Sequence, residues 1–233
     1  MRIFVQSVLG LQIWAIALGL TVFTTRAQER VDLNLVLAID CSYSVDANEF
    51  DLQIHGTAAA FTNPLIINAI TSGKYGKIAI SVIQWSNSHN QIVTIPWTIV
   101  SSQIDAYKLA VAIKSQTRKT AEGATSISSA IEKAAIMLLT APYSADRLAI
   151  DIAADGENNA GKRVETVRDQ TITRGITING LSILNEVSYL NYYFQNRVIG
   201  GKGAFVQIAN SYRDFGDAIR KKLLREIFGN GIS

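Results

Sequence analysis

Beyond residue 30 the chain alternates between short apolar runs and longer amphipathic stretches. Residues 31–39 are mostly apolar and rich in branched side chains, with the length of a buried parallel strand. Residues 47–70 read as helix, because Phe50, Ile54, Ala58 and Phe61 fall near one face, and Pro64 marks a break or kink. Residues 77–85 predict a second strand. Residues 91–97 predict a third, close enough in sequence to pair with it as an antiparallel hairpin, and Pro96 suits a sheet edge. A helix is expected over 101–114, where Ser101 or Ser102 can cap it. A stronger one covers 125–140, with Ile127, Ile131, Ala134 and Leu138 in one stripe. Then come a core strand at 147–153, a helix near 163–174, a strand at 176–183, a short helix at 187–198 and a strand at 204–208. A closing helix over 211–228 turns Phe215, Ile219, Leu223 and Ile227 inward.

This alternation predicts an α/β fold: a doubly wound, mostly parallel central sheet with one antiparallel edge strand and helices on both faces. No internal repeat, low-complexity tract or Pro/Gly-rich linker divides the chain, so residues 28–233 are expected to form one domain. Sites in such sheets gather at the carboxyl ends of the strands.

A composition of 48% hydrophobic and 18% charged residues is that of a globular protein. The net charge is +3, and Arg2 and Arg26 lie in a segment expected to be lost. With no Lys/Arg-rich block or aromatic ladder, a nucleic-acid partner is not indicated. The N-terminus reads as an export signal. Arg2 supplies a positive end, residues 8–23 are almost wholly apolar, and Thr25 and Ala27 satisfy the small-residue rule for cleavage. Residues 1–27 would then be removed and Gln28 would start the mature chain. The competing reading is an uncleaved anchor, since residues 3–23 approach spanning length. Cleavage makes the protein exported, periplasmic or secreted in a bacterium, with no membrane attachment afterwards. The single cysteine, Cys41, cannot form an internal disulfide. The neighbouring charge of Asp40 would raise its thiol pKa, so a small packed residue is expected there.

The strand at 31–39 runs straight into Asp40, Ser42 and Ser44, which alternate with Cys41 and Tyr43. Alternation can turn three oxygen-bearing side chains inward together. Two further segments are expected at the same sheet edge: GATS, which puts Thr125 just before a helix, and ADGENN, which puts Asp155 after a strand. Together they offer two carboxylates and several hydroxyls, with no convergent His or Cys. Hard divalent cations such as Mg2+ take this oxygen set, whereas zinc and copper sites recruit nitrogen or sulfur.

The set Asp40-x-Ser42-x-Ser44, Thr125 in GATS and Asp155 in ADG resembles the metal-ion-dependent adhesion site, or MIDAS, of von Willebrand factor A domains. IQWSN after the second strand, GITINGLSI after the fourth helix, and Gly203-Ala204-Phe205-Val206 before the final helix resemble that family too. The resemblance spans roughly residues 31–228. It implies that Ser42, Ser44 and Thr125 touch a Mg2+ or Mn2+ ion, that Asp40 and Asp155 bind it directly or through water, and that one position is left for a carboxylate from a partner protein. Two acids roughly neutralise the ion, and neutral hydroxyls leave it able to accept another oxygen. The chain departs from the pattern at Tyr43, where the family often has glycine.

Plainer readings exist for each residue. Ser42, Ser44 or Asp46 can cap the first helix, Thr125 can cap another, and Asp155-Gly156 can be an ordinary turn. Asp32 and Asp151 read as structural or surface groups, and Glu157, Asn158 and Asn159 as a binding rim. His55 and His89 are poorly placed for a catalytic base. The rival function is a haloacid-dehalogenase-like phosphatase with Asp40 as nucleophile. Its second acid, two residues later, is replaced by Ser42. There is no Gly-rich phosphate loop after the first strand, and no nucleophile elbow.

Overall fold

The structure is a computed structural model and describes residues 28–229; the expected export signal lies outside the described residues. Six strands form one sheet: β1 (Arg30–Asp40), β2 (Ile78–Trp85), β3 (Gln91–Val100), β4 (Ser144–Ala154), β5 (Ile176–Ile183) and β6 (Val206–Ala209). Their spatial order is β3-β2-β1-β4-β5-β6. All neighbours pair in parallel except β2 and β3. β3 is thus the antiparallel edge the sequence predicts. It carries Pro96, which lacks a ladder donor, and the β2–β3 register is interrupted between Ile80 and Val82.

β1 lies inside the sheet, and from Leu35 to Ile39 its run is wholly apolar. Leu33, Leu35, Leu37 and Ile39 pack on one face with α1 (Ala47–Phe61), α2 (Pro64–Thr71), α3 (Gln103–Lys114) and α7 (Phe215–Phe228). Val36 and Ala38 pack on the other face with α4 (Ile127–Leu139) and α5 (Val164–Ile172). Where both faces are buried, from Leu35 to Ile39, no polar residue alternates.

The expected helix at 47–70 is two helices. Asn63 accepts the Leu65 N–H and starts α2 with Pro64 in its first turn, where the missing N–H costs nothing. The segment expected as a helix at 187–198 contains a four-residue α-helix, α6 (Leu190–Tyr193), that runs into a π-helical stretch over Phe194–Val198. Phe194 and Val198 both enter the core. α1 crosses α7 at Gly56 and Gly216, and a Cβ on Gly56 would lie 2.9 Å from the Gly216 Cα. Only glycine permits so close a crossing.

The last helix is also held by polar bonds from one strand. Arg147, Asp151 and Asp155 are four residues apart along β4 and its exit, so they share a face. Arg147 donates to the carbonyls of Glu226 and Ile227, 2.6 Å each, at the end of α7. Lys222 Nζ lies 2.5 Å from Asp151 Oδ1 in the middle of the helix. Just before its start, the Tyr212 hydroxyl donates to Asp155 Oδ2 at 3.0 Å. Asp32, read as structural, accepts the N–H groups of Tyr75 at 2.9 Å and Lys77 at 3.3 Å.

Candidate metal centre

Asp40 ends β1 level with Trp85 on β2. The ladder continues one residue further, with the Cys41 N–H on the Trp85 carbonyl at 2.8 Å. The chain then turns: the Ser42 N–H folds back onto Asp40 Oδ1 at 2.7 Å, and the Val45 N–H reaches the Ser42 carbonyl at 3.1 Å. The Tyr43 N–H bonds to the Gly123 carbonyl at 2.8 Å and clips this loop to the one preceding Thr125. Arg118 secures the far side by donating to the Val45 and Asp46 carbonyls.

Helix capping falls to Asp46 alone. It accepts the Glu49 N–H at 2.8 Å while Glu49 accepts the Asp46 N–H at 2.9 Å, a reciprocal capping box. Ser42 and Ser44 are therefore free of capping duty. Their hydroxyl oxygens lie 3.3 Å apart, and Ser44 donates to Asp155 Oδ1 at 2.7 Å. Thr125 is not the cap of α4 either; that position is Ser126. Thr125 stands beside the Asp155–Gly156 turn, close enough that a Cβ on Gly156 would lie 3.7 Å from its hydroxyl. All three loops named from sequence meet at the carboxyl edge of β1 and β4.

The sequence reading assigned Asn158 and Asn159 only to the rim. Asn159 Oδ1 accepts the Thr125 N–H at 2.8 Å, and its own N–H donates to the Thr125 carbonyl at 2.9 Å. Asn158 Oδ1 accepts the Ser128 N–H at 2.9 Å and so serves the open start of α4. Their signal was present as consecutive asparagines after a strand. Tyr212 and Arg118 carried no local signal, because both reach the site from distant segments.

Two acids at one buried edge repel each other's charge. The Asp40 carboxyl is pushed up to about 8, chiefly by burial and then by the nearby charge of Asp155, against the opposing pull of Ser42 and Arg118. Asp155 is raised by burial too, while the Ser44 and Tyr212 hydroxyls resist the shift. Asp40 Oδ2 is buried and has no hydrogen-bond partner. A buried carboxyl oxygen without a partner, near enough to a second acid to feel its charge, is one that a cation would satisfy. Among the described residues no group of three or more His, Cys, Asp or Glu converges, so the donors here are carboxylate and hydroxyl oxygens. That set fits a hard divalent ion.

Tyr43 projects from the same loop and is 80% exposed. Cys41 is fully buried and its thiol is pushed up to about 12. The larger cause is burial, and the Asp40 charge adds to the rise as the sequence predicts. His55, on α1, and His89, in the β2–β3 turn, are both exposed.

The α/β sheet of this order, with three loops converging at its carboxyl edge, has the fold of von Willebrand factor A domains. Solved structures share that fold. Proximal thread matrix protein 1 from the mussel byssus is 13% identical with a TM-score of 0.63, over 86% of this chain and 48% of that one. A second structure of that protein, described as having a zinc-occupied MIDAS motif, is 14% identical with a TM-score of 0.56, over 86% of this chain and 48% of that one. Manganese-loaded TRAP protein from Plasmodium vivax is 12% identical with a TM-score of 0.53, over 85% of this chain and 74% of that one. This chain thus spans about half the length of the mussel protein. A search of curated protein sequences gives no match. Residues 30–231 match the family described as "Protein of unknown function (DUF1194)", and the chain belongs to that family.

Proposed function

We propose that the chain is an exported, non-enzymatic protein-binding module whose mature part, residues 28–233, is a single domain. Asp40, Ser42, Ser44, Thr125 and Asp155 would hold a Mg2+ or Mn2+ ion, and the partner protein would offer a carboxylate. The observation that carries this reading is the buried, unpartnered Asp40 Oδ2 beside a ring of hydroxyls organised on Asp155. A bound divalent ion supplies one electrophilic position for an outside oxygen. The chain's own residues prepare that position: Asp40 and Asp155 bring the balancing charge, Ser42 and Ser44 bring hydroxyl oxygens, and Asn159 fixes the Thr125 backbone. The metal-occupied mussel and Plasmodium structures support the reading at the level of shared fold.

The test is thermal unfolding with and without Mg2+ or Mn2+, in wild type and Asp40→Ala. A ligand at a hundredfold over its dissociation constant stabilises a fold by about 2.7 kcal/mol. Wild type should show such a gain and Asp40→Ala should not. An equal gain in both proteins would move the ion elsewhere. Mg2+-dependent hydrolysis of a generic phosphomonoester, abolished by Asp40→Asn, would overturn the non-enzymatic part and favour the phosphatase.

A further inference from the structure

The two acids of the site differ in how their oxygens are used. Asp40 has Oδ1 on the Ser42 N–H and Oδ2 free. Asp155 has both oxygens taken by hydroxyl donors, Ser44 on Oδ1 at 2.7 Å and Tyr212 on Oδ2 at 3.0 Å. Tyr212 reaches in from a short 3-10 turn (Tyr212–Asp214) between β6 and α7, a segment with no other bond to the three site loops. Its side chain is only 3% exposed and packs in the core with Phe215 and Ile219. A phenylalanine would supply that packing equally well. The hydroxyl is therefore a polar addition whose one hydrogen bond goes to Asp155.

We infer that Tyr212 is a positioning residue of the cation site, acting through Asp155 on Ser44. This rests on the metal reading above. The physical chain is short. A carboxylate held at both oxygens cannot turn about its terminal torsion. Oδ1 then stays in place to accept the Ser44 proton, and with that proton directed at Asp155 the Ser44 lone pairs are left for a cation. Tyr212 is the donor in this pair, because a carboxylate oxygen can only accept. Groups that orient metal ligands in this way change metal affinity by about 10- to 100-fold when removed.

The experiment is Mn2+ titration of the full mature protein, read by calorimetry and by the signal of free Mn2+, on wild type, Tyr212→Phe and Ser211→Ala. The control removes a neighbouring hydroxyl that bonds only to Asp214 within the same turn. Tyr212→Phe should raise the Mn2+ dissociation constant about 10- to 100-fold, with a cation-free melting temperature close to wild type. Ser211→Ala should leave the dissociation constant within twofold. Equal affinity in wild type and Tyr212→Phe overturns the inference while leaving the metal site standing. An equal loss in Ser211→Ala also overturns it, because the seating of the turn would then matter and the phenol would not. A wild type with no saturable Mn2+ binding removes the metal reading itself and the inference with it.

Discussion

Lys222 and Asp151 form a salt bridge in the interior, Nζ to Oδ1 at 2.5 Å, with side chains 0% and 2% exposed. Glu226 stands one helical turn further on, its Oε2 3.5 Å from the same ammonium and its Oε1 accepting from Asn179 at 2.7 Å. Three charged groups thus lie between α7 and β4 with one cation for two carboxylates. Removing that cation leaves two uncompensated charges in a place water does not reach. Breaking a buried pair from one side costs about 3–5 kcal/mol.

Lys222→Met keeps most of the volume and removes the charge. It should lower the free energy of urea unfolding by several kcal/mol, on the scale of about 3–5 kcal/mol. Adding Asp151→Asn should recover part of the loss, since one stranded carboxylate disappears. A single variant within about 1 kcal/mol of wild type, the scale of an exposed pair, would show that the trio contributes little.

The same trio gives a pH dependence of known sign. Asp151 is pushed up to about 7, first by burial, with Glu226 adding to the rise and Lys222 opposing it. On β5 it faces Asn179, and on β1 the apolar Leu37. A carboxyl that binds its proton more tightly folded than unfolded contributes stability below its unfolded pKa, near 4, and loses it as pH rises towards 7. Between pH 4.5 and 7.5 in EDTA, wild type should lose more melting temperature than Asp151→Asn. Asp40 and Asp155 are raised as well, so the difference between the two curves is the informative quantity. Parallel curves would exclude Asp151 as a source.

What the sequence showed, and what it hid, divides by range. The strand at 176–183 was readable to the residue because Ile176, Ile178, Leu181 and Ile183 make a mostly apolar run of strand length bounded by Gly175. Asp40, Ser42 and Ser44 were readable because alternation and position at a strand end are local properties. Thr125 and Asp155 needed only chain order and the topology of parallel sheets. Tyr212 and Lys222 were not readable as partners of β4, nor Arg147 as a partner of α7, since pairing across 57 to 80 residues leaves no local period. One trace did exist: Arg147, Asp151 and Asp155 recur every fourth residue in the otherwise apolar run 147–155, which places three charges on one face and calls for a polar neighbour. The π-helical stretch left no trace, because residues that enter the core through a wide turn have the same composition as those that enter through an ordinary one.

The reading of residues 1–27 as a removable export signal is open to direct chemistry. Thr25 and Ala27 precede the expected cut, so sequencing of the protein recovered from its producing cell should begin at or within a few residues of Gln28. Gln28 already bonds through its side chain to the Ala141 carbonyl at 2.6 Å, and the start of β1 follows at once, so a cut further inside would remove paired strand. Recovery of a membrane-bound product that retains Met1 would establish the anchor instead.

The partner is predicted from charge. Asp40 and Asp155 offset the two charges of a divalent ion, and hydroxyls supply the other protein oxygens, so the remaining position favours a hard anionic oxygen. A partner's Asp or Glu meets that requirement, and its charge-assisted bond is strong where water is partly excluded. Capture of a partner on the immobilised domain should therefore require Mg2+, fail in EDTA and return when Mg2+ is restored. Thr125→Ala should weaken capture without unfolding the protein, because Asn159 holds the Thr125 backbone through bonds that the substitution leaves intact. Tyr43→Gly should change which partner is preferred, since that exposed ring borders the approach to the site. The comparison needs four samples, wild type and Thr125→Ala, each with Mg2+ and with EDTA. If all four recover the same proteins in the same amounts, any bound ion is structural and the partner is gripped elsewhere.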